Sequence, residues 1–189
     1  MPIHAFVDES IRPDHYVIAA ALVQPAHLSR LHRAMHQLRL PGQRTLRFRK
    51  EKPARRALLA DAVARLPVEL RIYSHAGDRS DNSARQECLT FLVRELLGRQ
   101  AVRLVINSRE SQDAHDERTV RSVLGPRPRA TNLVYEHVDN REPLLWIADI
   151  AAWCHSAGGD WRGRIDPISC AVIDLTDQDR HADAGPRLR

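Results

Sequence analysis

The run Pro143-Leu144-Leu145-Trp146-Ile147-Ala148-Asp149-Ile150-Ala151-Ala152-Trp153-Cys154 is apolar on every side of any helix it forms, with one ionisable group, Asp149. A helix hydrophobic all round is buried in its fold rather than laid on its surface. Desolvating an unpaired carboxylate costs several kcal/mol or forces it to stay protonated, so such an acid needs a partner charge, a hydrogen-bond network or a metal. Asp149 therefore constrains both how this segment packs and what the chain does.

The expected partner lies at the other end of the chain. Ile3-His4-Ala5-Phe6-Val7-Asp8-Glu9-Ser10 reads as a strand ending in two acids and a hydroxyl. Strand period two puts Phe6 and Asp8 on one face and Ile3, Ala5 and Val7 on the other. If this strand is central and the Asp149 helix packs across it, two carboxylates converge. They repel unless a cation lies between them, and Mg2+ or Mn2+, hard ions with oxygen ligands, would serve. The structural alternative is that Asp8 begins a turn while Asp149 bonds an Arg or a backbone amide.

A chain of 189 residues, 43% hydrophobic, is expected to form one domain, here residues 1–175, with a polar mobile tail over 176–189. No apolar stretch is long enough for a bilayer, so no membrane association is expected. The first residues lack a signal-type apolar core, which makes the cytoplasm the expected location. Cys88, Cys154 and Cys170 are widely spaced in apolar surroundings and read as reduced core residues. Lys+Arg number 29 against 24 Asp+Glu, nearly all the cations being Arg. Arginine suits phosphate oxygens, and the densest cluster alternates Arg47 and Arg49 with Leu46 and Phe48 before Lys50. Arg47, Arg49 and Lys50 are thus candidates for a phosphate track, the alternative being a solvated strand edge or helix start.

Along the chain, Ile11-Arg12-Pro13-Asp14 supplies turn chemistry, and Tyr16 to Val23 is a buried second strand in a hairpin with the first. Helical spacing follows from Pro25 to Leu40, and from Pro53 to Leu66. Val68 to Ser74 reads as a strand, and Gly77 to Asn82 as a polar loop. A helix carries Leu89, Leu92, Val93, Leu96 and Leu97 and closes at Gly98. Val102 to Asn107 is a strand, Asp113 to Leu124 a helix, and Asn132 to Val138 a strand. The Pro143 helix ends at Gly158-Gly159, and Ile168 to Leu175 is a last strand. Helices alternating with strands after an opening hairpin predict an α/β fold with a mixed central sheet flanked by helices.

The anchors Phe6-Val7-Asp8-Glu9-Ser10 and Val138-Asp139-Asn140 followed by Leu144-Leu145-Trp146-Ile147-Ala148-Asp149-Ile150-Ala151 resemble the domain-of-unknown-function 3800 family, over roughly Ile3 to Ala157. That resemblance implies a ribonuclease H-like fold. It also implies a carboxylate cluster holding divalent ions for phosphodiester hydrolysis, with Asp8 and Asp149 as ligands and Asp139 as a third at the mouth. In such chemistry one ion lowers the pKa of water and another, about 3.5–4 Å away, stabilises the leaving oxygen. The sequence also departs from the family pattern. Asn140 stands where a serine is usual, and Trp146 falls near a usual glutamine. Thr45-Leu46-Arg47 lacks an expected acid, and Asn107 ends its strand in an amide. Asn107 ligates only as a neutral oxygen, and Glu110 compensates only if its loop folds back.

Glu9 is an auxiliary candidate with the opposite strand direction from Asp8. Ser10 has no nucleophile elbow around it. His137, beside Glu136 and Asp139, is either a proton shuttle at the rim or an exposed strand residue. His32 and His36 read as surface histidines. Trp146 and Trp153, seven apart on one helical face, read as core, whereas Trp161 in a basic Gly-rich loop reads as a base-stacking contact. The expected function is a divalent-metal-dependent nuclease acting on nucleic acid. The alternative is a non-catalytic binding module on the same fold with an incomplete metal site. Nothing in the sequence indicates a protein partner or an oligomeric state.

Overall fold

A computed structural model describes residues 2–76, 81–125 and 132–176. Six strands form one sheet: β1 (His4–Arg12), β2 (His15–Val23), β3 (Glu69–Ala76), β4 (Arg103–Asn107), β5 (Val134–Val138) and β6 (Ser169–Asp174), in the order β5-β4-β1-β2-β3-β6. The opening hairpin and the β2–β3 pair are antiparallel, while β1–β4, β4–β5 and β3–β6 are parallel. The mixed sheet follows from a hairpin extended by β3 on one side and by helical crossovers on the other.

β2 is buried along nearly its whole length because both faces are covered. Val17, Ala19, Ala21 and Val23 meet one core with Phe6, Leu31, Phe48 and most of helix α5 (Leu145–Ala157). Tyr16, Ile18, Ala20 and Leu22 meet a second core with Ala5, Val7 and helix α3 (Asp81–Gly98). Helices α1 (Leu28–Gln37) and α2 (Pro53–Val63) join the α5 side, while α4 (Asp113–Leu124) packs beside α3. Small residues from both elements, Ala151 and Ala152 of α5 and Ala19 and Ala21 of β2, are buried in the same core where α5 crosses the hairpin. The apolar helix is thus central, and the expectation from its composition holds.

Four local expectations change. Trp161 is not in a loop: Gly158 and Gly159, both at positive φ, bend the chain directly into another helix, α6 (Gly159–Ile165). The basic Leu46–Lys50 segment is neither strand nor α-helix but leads into a 3-10 turn, Phe48–Lys50, that buries Leu46 and Phe48 and leaves Arg47, Arg49 and Lys50 exposed. Cys88 and Cys154 are buried, but Cys170 is exposed, since β6 is an edge strand with an outward face. Thr176, expected to start the tail, is tied to the sheet: its hydroxyl donates to Asp174 and accepts the Ala76 N–H at 2.8 Å. Residues 177–189, the remainder of the expected tail, and 77–80 of the expected loop lie outside the described residues. Among the described residues no helix is long and apolar enough to cross a membrane.

Candidate metal centre beside an arginine-lined cleft

Asp8 lies near the end of β1 on the α5 face, two residues beyond Phe6. The register pairs Val7 with Ile106, so Asp8 stands beside Asn107, the last residue of β4. The Asn107 amide donates from Nδ2 to both Asp8 oxygens, at 3.2 and 3.1 Å. Asp149 comes from the second turn of α5, which crosses β1 at this height. Its Oδ2 accepts the Phe48 N–H at 3.2 Å, so the 3-10 turn that carries Arg49 is docked directly onto the acid. Both carboxylates are half-buried.

Burial, and then the Asp149 charge, push Asp8 well above the usual carboxylate range, against the opposing pull of Asn107, Arg85 and Arg109. Asp149 is pushed up to about 6 by burial, with the Phe48 hydrogen bond acting the other way. Neither acid has an arginine of its own in hydrogen-bond contact among the described residues. Such a pair titrates as a unit and holds a proton well into the neutral range unless a cation replaces it.

Asp139 does not join this pair. It sits just past the end of β5, in register one residue beyond the Asn107–Val138 pair and therefore two strands, roughly 10 Å, from β1. Its exposed carboxylate accepts from the Arg141 backbone N–H and side chain, and that pairing holds its pKa below the usual value. Asn140, next to it, holds the site's scaffold instead. Its carbonyl accepts the Trp146 indole N–H at 2.8 Å, and its amide donates to the Leu46 carbonyl. Glu110 is exposed on the loop after β4.

Glu9 points to the opposite face, as strand alternation requires, and meets Arg85, Arg109 and the Tyr16 hydroxyl there. Arg85, on α3 and buried, also forks onto Asp116 of α4 with two bonds of 2.7 Å. His137 completes this second network: its Nε2 is 3.0 Å from Asp116 Oδ2 and 3.7 Å from Asp113 Oδ1. Burial raises Asp116, but the bonds from Arg85 and His137 outweigh it and hold the acid below its ordinary value. Asp113, Asp116 and His137 are close enough to share a cation. At Asp116 that cation competes with the Arg85 fork, which already satisfies the carboxylate. His137 is half-buried within this network, so it is neither the exposed strand residue nor the rim shuttle that the sequence offered. Arg85, Asp113 and Asp116 carry no motif. An arginine among the apolar positions of α3 was the one available signal.

A cleft of about 290 Å³ opens beside Asp149, lined by Ser10, Arg12, Arg49 and Trp153 among others. Trp146 is fully buried, but Trp153 is only half-buried and forms a wall of this cleft, contrary to its expected core role. Trp161 packs against Trp153 at 5.3 Å between ring centroids, and Phe48 does so at 5.2 Å, both steeply inclined. Among the predicted phosphate contacts, Arg49 lines the cleft, with Arg47 and Lys50 exposed on the same turn.

The architecture is similar to that in the solved structure of the PCNA:RNase HII complex from Archaeoglobus fulgidus. The TM-score is 0.54 at 17% sequence identity, over 81% of this chain and 72% of that chain. No family model matches the chain, and no curated protein matches it. The protein is a mixed α/β protein of the ribonuclease H-like fold, in which Asp113, Asp116 and His137 lie close enough together to share a metal ion.

Proposed function

We infer that the protein is a divalent-metal-dependent phosphodiesterase of nucleic acid, with Asp8 and Asp149 as its metal-holding acids. The observation that carries this reading is the approach of two half-buried carboxylates, from β1 and α5, close enough that the Asp149 charge adds to burial in raising Asp8, with no arginine hydrogen-bonded to either among the described residues. The residues fit Mg2+ or Mn2+. All the donors are hard oxygens, and Asp149 keeps Oδ1 free of the Phe48 bond. Turning the Asn107 amide over would present its oxygen as a neutral third ligand. When bound, such an ion supplies Lewis-acid polarisation of water and of a phosphoryl oxygen.

The protein's own groups do the rest. Arg49, exposed on the turn that Asp149 anchors, binds the phosphate that faces the acids, and Arg12 closes on it from the hairpin turn. Arg47 and Lys50 extend the cationic surface along the backbone. Ser10, in the cleft wall, orients water or phosphate oxygen. The likeness of PCNA-bound RNase HII in fold, and the resemblance to the domain-of-unknown-function 3800 family, support the same reading.

The test is cleavage of RNA and DNA with Mn2+. Wild-type protein is expected to cut one of them, to stop with chelator, and to lose cutting in Asp8→Asn and Asp149→Asn variants that stay folded. Activity surviving both substitutions would refute the assignment. One observation favours a second reading, a binding module that has lost catalysis: the Asn107 amide donates hydrogen bonds to Asp8 where a further acid would strengthen metal binding. Its signature is nucleic-acid binding with no response to Mn2+.

A further inference from the structure

We propose that the cleft between the β1–β2 turn and α5 seats one unpaired nucleotide of a single strand, its base stacked on Trp153 and its phosphate held by Arg12 and Arg49. The proposal takes from the hydrolase reading only that the ligand is a nucleic acid, and nothing about metal or cleavage.

Trp153 lies one helical turn beyond Asp149, on the same stripe of α5. Leaving a tryptophan half-exposed forgoes burial that Trp146, two turns earlier, obtains in full. Its orientation is nevertheless fixed. Phe48 and Trp161 pack against it at 71° and 87°, so the ring is a rigid wall rather than a mobile surface residue. Arg56, which does not line the cleft, backs the ring 4.6 Å from its centroid, and Arg12, which does, stands 5.5 Å from it. Planar cations and an indole together make the kind of platform on which a base stacks irrespective of its identity.

The charges around the cleft agree. Among the described residues, Arg12 and Arg49 form no close ion pair, Arg12 acting only at longer range on the exposed Asp14, whereas Arg164, also near Trp161, is paired with Asp61. Glu9, the other acid at the cleft, is taken up by Arg85 and Arg109. Arg12 and Arg49, outside any close ion pair, therefore face the cleft where a phosphate would lie, beside Asp149. Each base of a duplex is covered on both faces by its neighbours and cannot present one to Trp153. An unpaired base can, and that distinction selects single strands over duplex.

Fluorescent oligothymidylate, oligouridylate and a duplex of equal length, titrated in EDTA by anisotropy, test this without any cleavage. A single strand should bind more tightly than the duplex at equal salt and should quench the native indole emission. Trp153→Leu should weaken single-strand binding roughly 5- to 150-fold, the range for one lost stacking contact. Trp153→Phe should lose less affinity but remove the quench. Arg12→Gln, on the hairpin turn, should lower the slope of log affinity against log salt by about one unit. Duplex binding as tight as single-strand binding, an unquenched indole, or a folded Trp153→Leu protein with wild-type affinity would each overturn the proposal. If Trp153→Leu does not fold, the native quench and Arg12→Gln decide. Absence of Mn2+-dependent cutting would leave this seat intact, and a failed seat would leave the metal centre to be judged on its own test.

Discussion

At Asn107 the sheet register sets an amide against the Asp8 carboxylate, where it neutralises nothing but offers two weak hydrogen bonds. Asn107→Asp puts a third acid in the same place. It is expected to lower the stability of metal-free protein at pH 8 and to raise Mn2+ affinity by roughly tenfold or more, read by isothermal titration calorimetry. Unchanged affinity would mean that no ion sits beside Asp8. Asp149 makes a second prediction at this scale. Its folded pKa of about 6 lies above the ordinary carboxylate value, so the folded state holds a proton that the unfolded chain has released. The resulting stability is complete at pH below about 4 and is lost as pH rises through about 6. In the metal-free protein, wild type should therefore lose on the order of 2–3 kcal/mol relative to Asp149→Asn between pH 4 and pH 7, measured by urea denaturation. A difference independent of pH would show that the acid is already neutralised by another group.

The elements differ in how much of their role local sequence could reveal. α5 announces itself, because a helix apolar all round has to be central, and it crosses β1 and β2 where Ala19 and Ala21 admit it. α4 is an amphipathic surface helix by pattern, yet its Asp116 is 2% exposed and is the far end of a network through Arg85 to Glu9. That network ties α3 to β1 and α4 and places a positive charge behind Asp8, on the other side of the sheet. Arg85→Met is expected to destabilise the protein by about 3–5 kcal/mol, because it leaves buried acids without their cation. Chemical denaturation checks this, and a loss below about 1 kcal/mol would show that water or Arg109 already satisfies the network. The 3-10 turn Phe48–Lys50 was not readable as an element. Its geometry depends on Phe48 reaching the α5 core while its own N–H reaches Asp149, contacts made across a hundred residues.

Over the whole molecule, β1 and α5 are brought together at the sheet centre, and a ligand that spans them holds the fold closed. Mn2+ at one hundred times its dissociation constant contributes about 2.7 kcal/mol. For a chain of this size that corresponds to a rise in Tm of roughly 5–10 °C. Differential scanning fluorimetry at pH 8 should show this rise in wild type and not in Asp8→Asn or Asp149→Asn, and an equal rise in all three would place the ion elsewhere, with Asp113, Asp116 and His137 the next candidates. That the Asp149 charge acts on Asp8 was legible in the sequence because each is an acid at the edge or centre of an apolar segment, and an apolar segment declares its own burial. The opposite face of Glu9 and the buried Trp146 were legible too, from strand phase and helical burial, but Asp139, Trp153 and Trp161 were not, because their roles turn on which strand is the neighbour and which side of a helix meets the sheet. Asp139 ends a strand two places from β1, Trp153 lies where α5 emerges from the core, and Trp161 belongs to a further helix. Composition and periodicity determined the elements, their alternation and the two acids, since these follow from local burial and chain stiffness. Only the tertiary structure decided which polar groups share a space, because strand order and helix rotation are set by long-range packing that no short stretch of residues encodes.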